Sequence, residues 1–329
     1  MIKKPLLSIA IPTFNRAAIL DLCLSRLIPQ LVPFADKIEL IISDNFSTDN
    51  TQQVITKYKN KNLGIKLITH LQSENTGYFG NFKTCKELSN GEYFWLLSDN
   101  EHLNYDSVEI LIELMENKSE CGAFFLDSFD NKNCTNDKIL IKAQFADDFF
   151  NSEYAYTTTL ISSVIFRNKN LNDELLFKRF KGNLFLGFIL FCSSLSESDL
   201  ICSVRYSFFN SVPTNVTFDI FKAWAIDIIQ CVDYMVENKL LDTNTKEVFM
   251  SGFISTNVFG HVVLFRKGKS IGFINYSLNE LRVLLDDTYA LNETYLKKVH
   301  PILFATYLGF YWILIQRKLQ KILRRFSTK

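Results

Sequence analysis

The segment that most constrains the fold of this chain is a short apolar run that ends in acidic residues. Residues 93–97 are all apolar or aromatic, and the next four are Ser98, Asp99, Asn100 and Glu101. An apolar run of this length closed by polar residues is typical of a strand buried on both faces of a sheet. The acids then follow the carboxyl end of that strand, where open α/β sheets bind their ligands. Two carboxylates at such an edge are suited to holding a divalent cation against a diphosphate.

The same alternation of elements recurs along the first 130 residues. Short apolar runs predict strands, and apolar residues at helical spacing between them predict helices. The predicted strands are 6–11, 38–42, 65–69, 93–97 and 123–126, and the predicted helices are 17–31, 51–58, 81–88 and 106–116. This order predicts an α/β unit with a mostly parallel sheet. Beyond it we predict a strand at 157–166, a helix within 218–241 and further helices to the end.

Composition excludes several classes of protein. With 47% hydrophobic residues, the chain is too apolar for a disordered protein and can bury a core. Its seven cysteines include no Cys-x-x-Cys pair and are odd in number, which favours reduced thiols in the cytoplasm over a zinc site or a disulfide framework. The apolar run after Lys3 and Lys4 is broken by Pro12 and followed by Asn15 and Arg16, without a small-residue cleavage site. We therefore interpret that run as a strand and not as a secretory signal.

Polar residues follow three of the predicted strands, at 13–16, 43–49 and 98–101. Because parallel strands joined by helices bring these ends to one edge of the sheet, we expect them to form one nucleotide-shaped site. Asp44 can accept a hydrogen bond from a base or ribose. Asp99 and Glu101 can bridge a ribose hydroxyl and a metal-bound diphosphate. Strand ends are commonly polar and solvated, so the prediction depends on all three occurring in this order.

Four segments resemble the nucleotide-binding half of family 2 glycosyltransferases with the GT-A fold: LSIAIPTFNR, ELIISDNFSTDNT, ENTGYFGNF and GEYFWLLSDNE. A fifth, TTTLISSVIFRN, is similar to a branch that includes abequosyltransferase-like enzymes of bacterial surface-polysaccharide assembly. The resemblance is clear over 5–130, weaker to about 215 and faint beyond. It implies a Rossmann-like GT-A domain at 1–215, with a nucleotide-sugar half (1–130) and an acceptor half (131–215), then a helical region (216–295) and a tail (296–329).

The resemblance also implies roles for the matched residues. Asp44 would contact the base of a nucleotide sugar, and Asp99 would lie near its ribose and diphosphate. Asp99 and Glu101 would hold Mg2+ or Mn2+. Gly77 would belong to the loop that closes over the nucleotide, although a glycine there also serves as a simple turn residue. The residues expected to bind the nucleotide sugar are Pro12, Thr13, Phe14, Arg16, Asp44, Asn75, Gly77, Asn81, Ser98, Asp99 and Asn100.

The chain departs from the family pattern in two places. The family usually has three consecutive acids after the fourth strand, whereas here the middle residue is Asn100 and the last is the longer Glu101. His102 follows and can either assist a metal or be solvated. An inverting transferase also needs a carboxylate to deprotonate the acceptor hydroxyl. Glu197 and Asp199, about a hundred residues after the metal motif, are the candidates for this base, and a solvated turn is the alternative at that position.

The tail differs in charge from the rest of the chain. Residues 296–329 carry eight lysines or arginines and no acid, which leaves a net charge of −7 on the remainder. Residues 301–315 are almost wholly apolar or aromatic but shorter than the roughly 20 residues that span a bilayer. Residues 316–326 have the pattern of a basic amphipathic helix, which is suited to an anionic membrane surface. The alternative is a helix packed on the protein. The acidic body, without a visible binding motif, argues against nucleic acid.

Two hypotheses for function stay open. The first is a glycosyltransferase that moves a sugar, with inversion, from a nucleotide-diphosphate sugar to a glycan acceptor, lipid-linked, in O-antigen or capsule synthesis. It would be cytoplasmic and peripheral on the inner face of the cell membrane. The alternative is a catalytically degenerate relative that binds the nucleotide sugar as a partner in a membrane-bound assembly complex. No G-x-G-x-x-G follows the first strand, which argues against a dinucleotide oxidoreductase. A sugar nucleotidyltransferase would need a glycine-rich loop at 12–16, which is absent.

Overall fold

The contacts of the chain divide it into two compact units. The computed structural model describes residues 4–61, 63–127, 139–152, 155–168, 173–195, 198–212, 218–269 and 276–327. One unit consists of Met1–Thr214 with Tyr234–Asp242, and the other of Asn215–Asp233 with Thr243–Lys329. The finer division at 130, 215 and 295 remains a prediction.

An eight-stranded sheet in the order β3-β2-β1-β4-β8-β6-β9-β7 forms the centre of the first unit. Strand β1 pairs in parallel with β2 on one side and with β4 on the other, while β8 and β7 run antiparallel to their neighbours. The mostly parallel α/β sheet is therefore confirmed. The strands of the described residues are β1 (Leu7–Thr13), β2 (Ile38–Asp44), β3 (Lys66–Leu71), β4 (Tyr93–Leu96), β5 (Glu101–Leu103), β6 (Ala123–Asp127), β7 (Leu140–Phe145), β8 (Val164–Arg167), β9 (Leu200–Arg205) and β10 (Phe209–Ser211).

Helices flank this sheet and bury their apolar faces against it. In α1, for example, Leu20, Leu24 and Leu31 are fully buried at helical spacing. All four residues of β4 are buried, as expected for a strand covered on both faces. The helices of the first unit are α1 (Ala17–Leu31), α2 (Thr51–Lys59), α3 (Gly77–Glu87), α4 (Ser107–Asn117), α5 (Ala146–Phe150), α6 (Asp173–Arg179) and α7 (Leu186–Ser194).

The region after residue 218 is helical, as predicted. It contains α8 (Ile220–Lys222), α9 (Ile228–Glu237), α10 (Thr243–Phe253), α11 (Phe259–Arg266), α12 (Leu278–Tyr289), α13 (His300–Phe304) and α14 (Tyr307–Ser327), with π-helical turns at Ala223–Asp227, Ile254–Val258 and Tyr295–Val299. In the described part of the chain, Ala17–Phe34 and Thr243–Arg266 are long and apolar enough to cross a membrane. This is weak evidence, because the core helix of a soluble protein passes the same test, and α1 buries an apolar face that includes Leu20, Leu24 and Leu31.

One predicted strand differs from the structure. The strand predicted at 157–166 is restricted to Val164–Arg167, and Ala155–Thr159 forms a 3-10 helix instead. Thr157, Thr158 and Thr159 favour strands by propensity, but the backbone turns there. The Thr158 and Thr159 hydroxyls donate to carbonyls three residues earlier.

Candidate functional site

The carboxyl ends of β1, β2 and β4 meet at one edge of the sheet. In register, Thr13 of β1 lies opposite Asp44 of β2, and Ala10 lies opposite Leu96 of β4. The strand order reverses beside β1, since β2 lies on one side and β4 on the other. A crevice at such a reversal is where doubly wound sheets bind their ligands. The three predicted loops are therefore brought together at one edge.

Asp99 is the centre of the polar network at this edge. Its side chain is only 1% exposed and accepts hydrogen bonds from the Thr13 hydroxyl at 2.8 Å and the Arg16 guanidinium at 2.7 Å. Burial raises the pKa of Asp99, and the Arg16 charge and both hydrogen bonds offset part of that rise. Arg16 is 30% exposed, so it remains accessible from solvent while it is paired.

Glu101 lies two residues further along, at the start of β5, and is buried with an unpartnered carboxylate oxygen. Its Oε2 has no hydrogen-bond partner among the described residues. Burial and the nearby Asp99 charge together raise the pKa of Glu101 to about 7, and hydrogen bonds with the Ser162 and Ser211 hydroxyls limit that rise. His102 also has an unpartnered buried nitrogen, Nε2, but strand alternation places it on the opposite face of β5 from Glu101. Burial and the Arg26 charge lower the pKa of His102.

These carboxylates fit a cation shared with a ligand. Among the residues that the structure describes, no group of three or more His, Cys, Asp or Glu side chains could hold a metal ion by itself. Mg2+ is commonly bound by one or two carboxylates together with substrate phosphates. The free Oε2 of Glu101 offers one such anionic ligand, with Asp99 beside it. The donor set therefore fits a cation bound jointly with a diphosphate.

Asn100 joins this segment to β10. Its side-chain Nδ2 donates to the Val212 carbonyl at 2.9 Å, and the Val212 N–H donates back to the Asn100 carbonyl at 2.8 Å. The Ser98 hydroxyl donates to the Asn100 amide oxygen. Together with the pairing of β5 and β10, these bonds fix the backbone that carries Asp99 and Glu101. Ser98 and Asn100 therefore support the site by holding the backbone in place with hydrogen bonds.

Asp44 organises the loop after β2. Its buried carboxylate accepts hydrogen bonds from the Ser47 N–H at 3.0 Å, the Ser47 hydroxyl and the Gln52 amide, both at 2.5 Å. Ser47 in turn accepts a hydrogen bond from the Asn15 N–H at 2.8 Å, which joins the loops after β1 and β2. Asn15 and Phe46 adopt positive φ angles of 51° and 69°, which are uncommon for residues with a side chain.

The loop at 75–81 is attached to the same edge by amide side chains. Asn45 donates to the Asn75 amide oxygen at 2.8 Å and to the Gly77 carbonyl at 3.2 Å. Buried Asn81 accepts from the Ser43 hydroxyl at 2.6 Å and donates to the Ser43 carbonyl at 3.0 Å. Gly77 has φ +70° and begins α3 earlier than the sequence predicted. Asn81 is thus turned toward the strand ends, while Asn75 and Gly77 lie on the loop itself.

The remaining predicted residues, Pro12 and Phe14, lie at the carboxyl end of β1. Pro12 is half-buried within β1, and Phe14 is exposed immediately after it. An exposed aromatic ring next to Thr13 offers a flat apolar surface on which a base can stack. The base pocket at these positions stays a prediction.

The topology separates Asp199 from this site. Strand β9 is parallel to β6, and both β6 and β4 are antiparallel to β8, so β9 runs in the same direction as β4. Asp199 immediately precedes β9 and lies at the amino edge of the sheet, whereas Asp99 follows the carboxyl end of β4. The adjacent Ser198 hydroxyl accordingly donates to the Glu120 carbonyl, just before β6. The expectation of Asp199 as a base therefore loses its geometric support, and Glu197 lies outside the described residues.

Ser162 is a residue of this site that sequence reasoning missed. Its hydroxyl accepts a hydrogen bond from the Ser98 N–H at 2.9 Å, and its carbonyl accepts one from the Trp95 indole at 3.0 Å. It also lies close enough to Glu101 to lower the pKa of that carboxyl. The only sequence signal was its position in the TTTLISSVIFRN segment, because its contacts depend on the insertion of β8 beside β4.

A sheet with these three loops at its reversal point is typical of nucleotide-binding α/β proteins, and comparison with known proteins gives the family. The family model described as glycosyl transferase family 2 matches residues 8–176. The chain belongs to glycosyl transferase family 2, as the resemblance predicted.

Two curated bacterial proteins share part of this sequence. The abequosyltransferase RfbV of Salmonella typhimurium is 35% identical over 115 residues, which are 35% of this chain and 34% of that protein. A GalNAc(5)-diNAcBac-PP-undecaprenol beta-1,3-glucosyltransferase of Campylobacter jejuni is 25% identical over 180 residues, 52% of this chain and 56% of that protein. The chain thus matches about a third of the length of the first relative and about half of the second.

Solved structures show the same fold over most of the chain. S. aureus TarS 1-349 superposes with a TM-score of 0.62 at 14% identity, covering 92% of this chain and 87% of that one. The mannosyltransferase PcManGT from Pyrobaculum calidifontis, solved with GDP-Man and Mn2+, gives a TM-score of 0.54 at 13% identity, covering 99% and 84%. At these identities the likeness shows the GT-A fold alone.

Proposed function

We propose that this protein is a glycosyltransferase that moves a sugar from a nucleotide-diphosphate sugar to a glycan acceptor. The observation that carries the proposal is the pair of buried carboxylates after β4, where Asp99 is held by Arg16 and Glu101 keeps a free oxygen. This pair lies at the sheet reversal, next to the loops after β1 and β2. Family membership supports the same reaction class.

The residues of the edge have distinct tasks in this proposal. Asp44 and its loop receive the base, and Phe14 offers the ring on which the base stacks. Arg16 forms charge-assisted hydrogen bonds to the diphosphate, for which a guanidinium is well suited. Asp99 and Glu101 would hold Mg2+ or Mn2+. A divalent cation, when bound, stabilises the charge that develops on the departing diphosphate.

The acceptor in this proposal is a lipid-linked glycan of bacterial O-antigen or capsule synthesis, and the reaction inverts the sugar. Support comes from the names of the two relatives, one an abequosyltransferase and the other acting on an undecaprenol-linked glycan. Inversion requires a general base. Glu197 stays a prediction for this role, and Asp199 would have to act from the other edge of the sheet.

A donor screen tests the proposal. Thermal stability is measured with UDP, GDP, CDP and dTDP, each with Mn2+ or EDTA, since a ligand at about 100 times its Kd stabilises by roughly 2.7 kcal/mol. One nucleotide should stabilise the protein with Mn2+ and far less with EDTA. Transfer is then assayed with sugars of that nucleotide in wild type, Asp99→Asn and Glu101→Gln. Undiminished transfer by both variants would refute the assigned roles, and absence of stabilisation by every nucleotide would refute the donor site.

A second candidate is a degenerate relative that binds the nucleotide sugar without turnover. The observation that favours it is the position of Asp199 at the opposite edge from Asp99. Metal-dependent binding of a nucleotide sugar with no transfer, across a panel of donors and lipid-linked acceptors, would support this candidate. Measurable transfer to any acceptor in the panel would reject it.

The tail places the enzyme on the membrane in this proposal. Helix α14 buries Phe310 and exposes an apolar stripe on another face, including Leu308 at 82% and Trp312 at 62% exposure. Exposed aromatic and aliphatic residues on a basic helix favour an anionic bilayer surface over a fully packed helix. Full-length protein should sediment with vesicles that contain anionic phosphatidylglycerol, and Leu308→Glu/Trp312→Glu should reduce the bound fraction several-fold. Equal sedimentation of wild type and variant would refute this surface.

A further inference from the structure

A second cavity lies between α3 and α6, outside the network around Asp99. It has a volume of about 560 Å3, which falls within the range of small-molecule sites. Its cationic lining consists of Lys83 from α3 together with Lys178 and Lys181 from α6 and the turn after it. Among the lining residues, Glu174 carries the one carboxylate against these three ammonium groups. The excess of positive charge favours an anionic ligand.

The lysines of this cavity form few ion pairs with acidic residues of the protein. Lys178 and Lys181 are exposed and take part in no ion pair among the described residues. Lys83 contacts Glu87 at 3.4 Å, but both side chains are substantially exposed, and such pairs contribute little. The three ammonium groups can therefore turn to a ligand at small cost.

The remaining lining residues of the cavity, Phe79, Leu175 and Phe177, are apolar. Phe79 and Phe177 meet edge to face with ring centroids 6.2 Å apart, and the Lys83 ammonium lies 5.7 Å from the Phe177 centroid. Leu175 adds an aliphatic side chain that is 63% exposed. Cations above aromatic and aliphatic walls match a ligand that joins a charged phosphate to an apolar group.

The cavity begins close to the nucleotide loop. Phe79 is two residues beyond Gly77 and Lys83 six residues beyond, which along a helix corresponds to about 3 Å and about 9 Å. A ligand in this cavity would thus lie next to a donor bound at the crevice. Resting on the proposed function, we propose that this cavity binds the prenyl diphosphate of the lipid-linked acceptor, with the diphosphate on the lysines and the first isoprene units on the phenylalanines and Leu175.

Calorimetric titration of the full-length protein with geranyl diphosphate tests this site. The buffer contains EDTA, so that the probe cannot bind through a cation at Asp99 and Glu101. Two variants are compared with wild type: Lys178→Gln/Lys181→Gln in the cavity, and Lys59→Gln/Lys142→Gln, two exposed lysines elsewhere in the same unit. Removing two charge-assisted contacts should weaken binding about tenfold or more in the cavity variant and leave it unchanged in the control.

Further probes test whether the diphosphate alone, or the prenyl group alone, accounts for binding. Inorganic diphosphate and geraniol should each bind at least tenfold more weakly than geranyl diphosphate. Equal affinity for inorganic diphosphate, equal affinity of the cavity variant and wild type, or no binding of geranyl diphosphate at all would each overturn the proposal. The nucleotide diphosphate chosen in the donor screen, titrated with Mn2+, should bind the cavity variant as it binds wild type. Failure of that nucleotide to bind either protein would count against the proposed function and not against the cavity.

Discussion

The pair formed by Arg16 and Asp99 makes the most direct prediction about this site. Arg16→Ala leaves a carboxylate that is 1% exposed with the Thr13 hydroxyl as its remaining side-chain donor. Breaking a fully buried pair costs about 3–5 kcal/mol, whereas an exposed pair contributes about 0–1 kcal/mol. Because the Arg16 side chain is 30% exposed, we expect a coupling energy between these limits, about 2 kcal/mol.

A double-mutant cycle measures this coupling. The free energy of unfolding in urea is determined at pH 8 for wild type, Arg16→Ala, Asp99→Asn and the double variant. Arg16→Ala should cost about 2 kcal/mol more in the wild-type background than in Asp99→Asn. Arg26→Ala, at an exposed position on α1, the helix that follows Arg16, is the matched control and should show no coupling to Asp99→Asn. A coupling energy below about 0.5 kcal/mol would refute the argument that burial strengthens this pair.

Three further predictions concern the framework around the site. Asn81→Leu leaves the buried Ser43 hydroxyl and carbonyl without their amide partner and should lower the free energy of unfolding by about 2 kcal/mol; an unchanged urea midpoint would contradict this. Gly77→Ala, at φ +70°, should cost about 1 kcal/mol and weaken nucleotide binding in a titration, whereas Gly64→Ala, at φ +73°, should cost the same and leave binding unchanged. Burial would raise the pKa of Glu39, but the Lys66 ammonium and two further hydrogen bonds hold that pKa below its ordinary value of 4.5. The ionised Glu39 therefore stabilises the folded state above pH 4.5, and this stabilisation is lost as the pH falls below that value. Glu39→Gln should therefore cost about 1–2 kcal/mol at pH 7, and the difference from wild type should shrink in urea unfolding as the pH falls below 4.5; a difference independent of pH would refute it.

The parallel half of the fold could be predicted because each of its strands and helices has a local pattern of apolar and polar residues. Strands β1, β2, β3, β4 and β6 are short apolar runs bounded by polar residues, and the helices between them have apolar residues at helical spacing. The position of the site followed from the rule that such strands place their ends at one edge. The elements predicted within the first 130 residues agree with the structure apart from shifts of a few residues at their ends.

The elements that sequence reasoning missed depend on partners distant in the chain. Strand β5 has three residues and exists because it pairs with β10, more than a hundred residues later. Strand β8 was predicted, but its place in the sheet between β4 and β6 was not, and this insertion brings Ser162 beside Ser98 and Glu101. Spacing along the chain placed Asp199 at a plausible distance from the metal motif, but spacing carries no information about which edge of the sheet a residue occupies.

The amide at position 100, where the family usually has an acid, bears on whether the number of acids in this motif can be used to recognise inactive relatives. The Asn100 Nδ2 donates to the Val212 carbonyl, and an aspartate at this position has no hydrogen to donate. Restoring the acid would set a negative charge against that carbonyl and loosen the strand pair that carries Glu101. The absence of an acid at position 100 is therefore not by itself a sign of a decayed enzyme, because the amide has a structural role there. Position 100 should carry a hydrogen-bond donor wherever a homologue keeps the partner strand β10, and regain its acid only where that strand is lost.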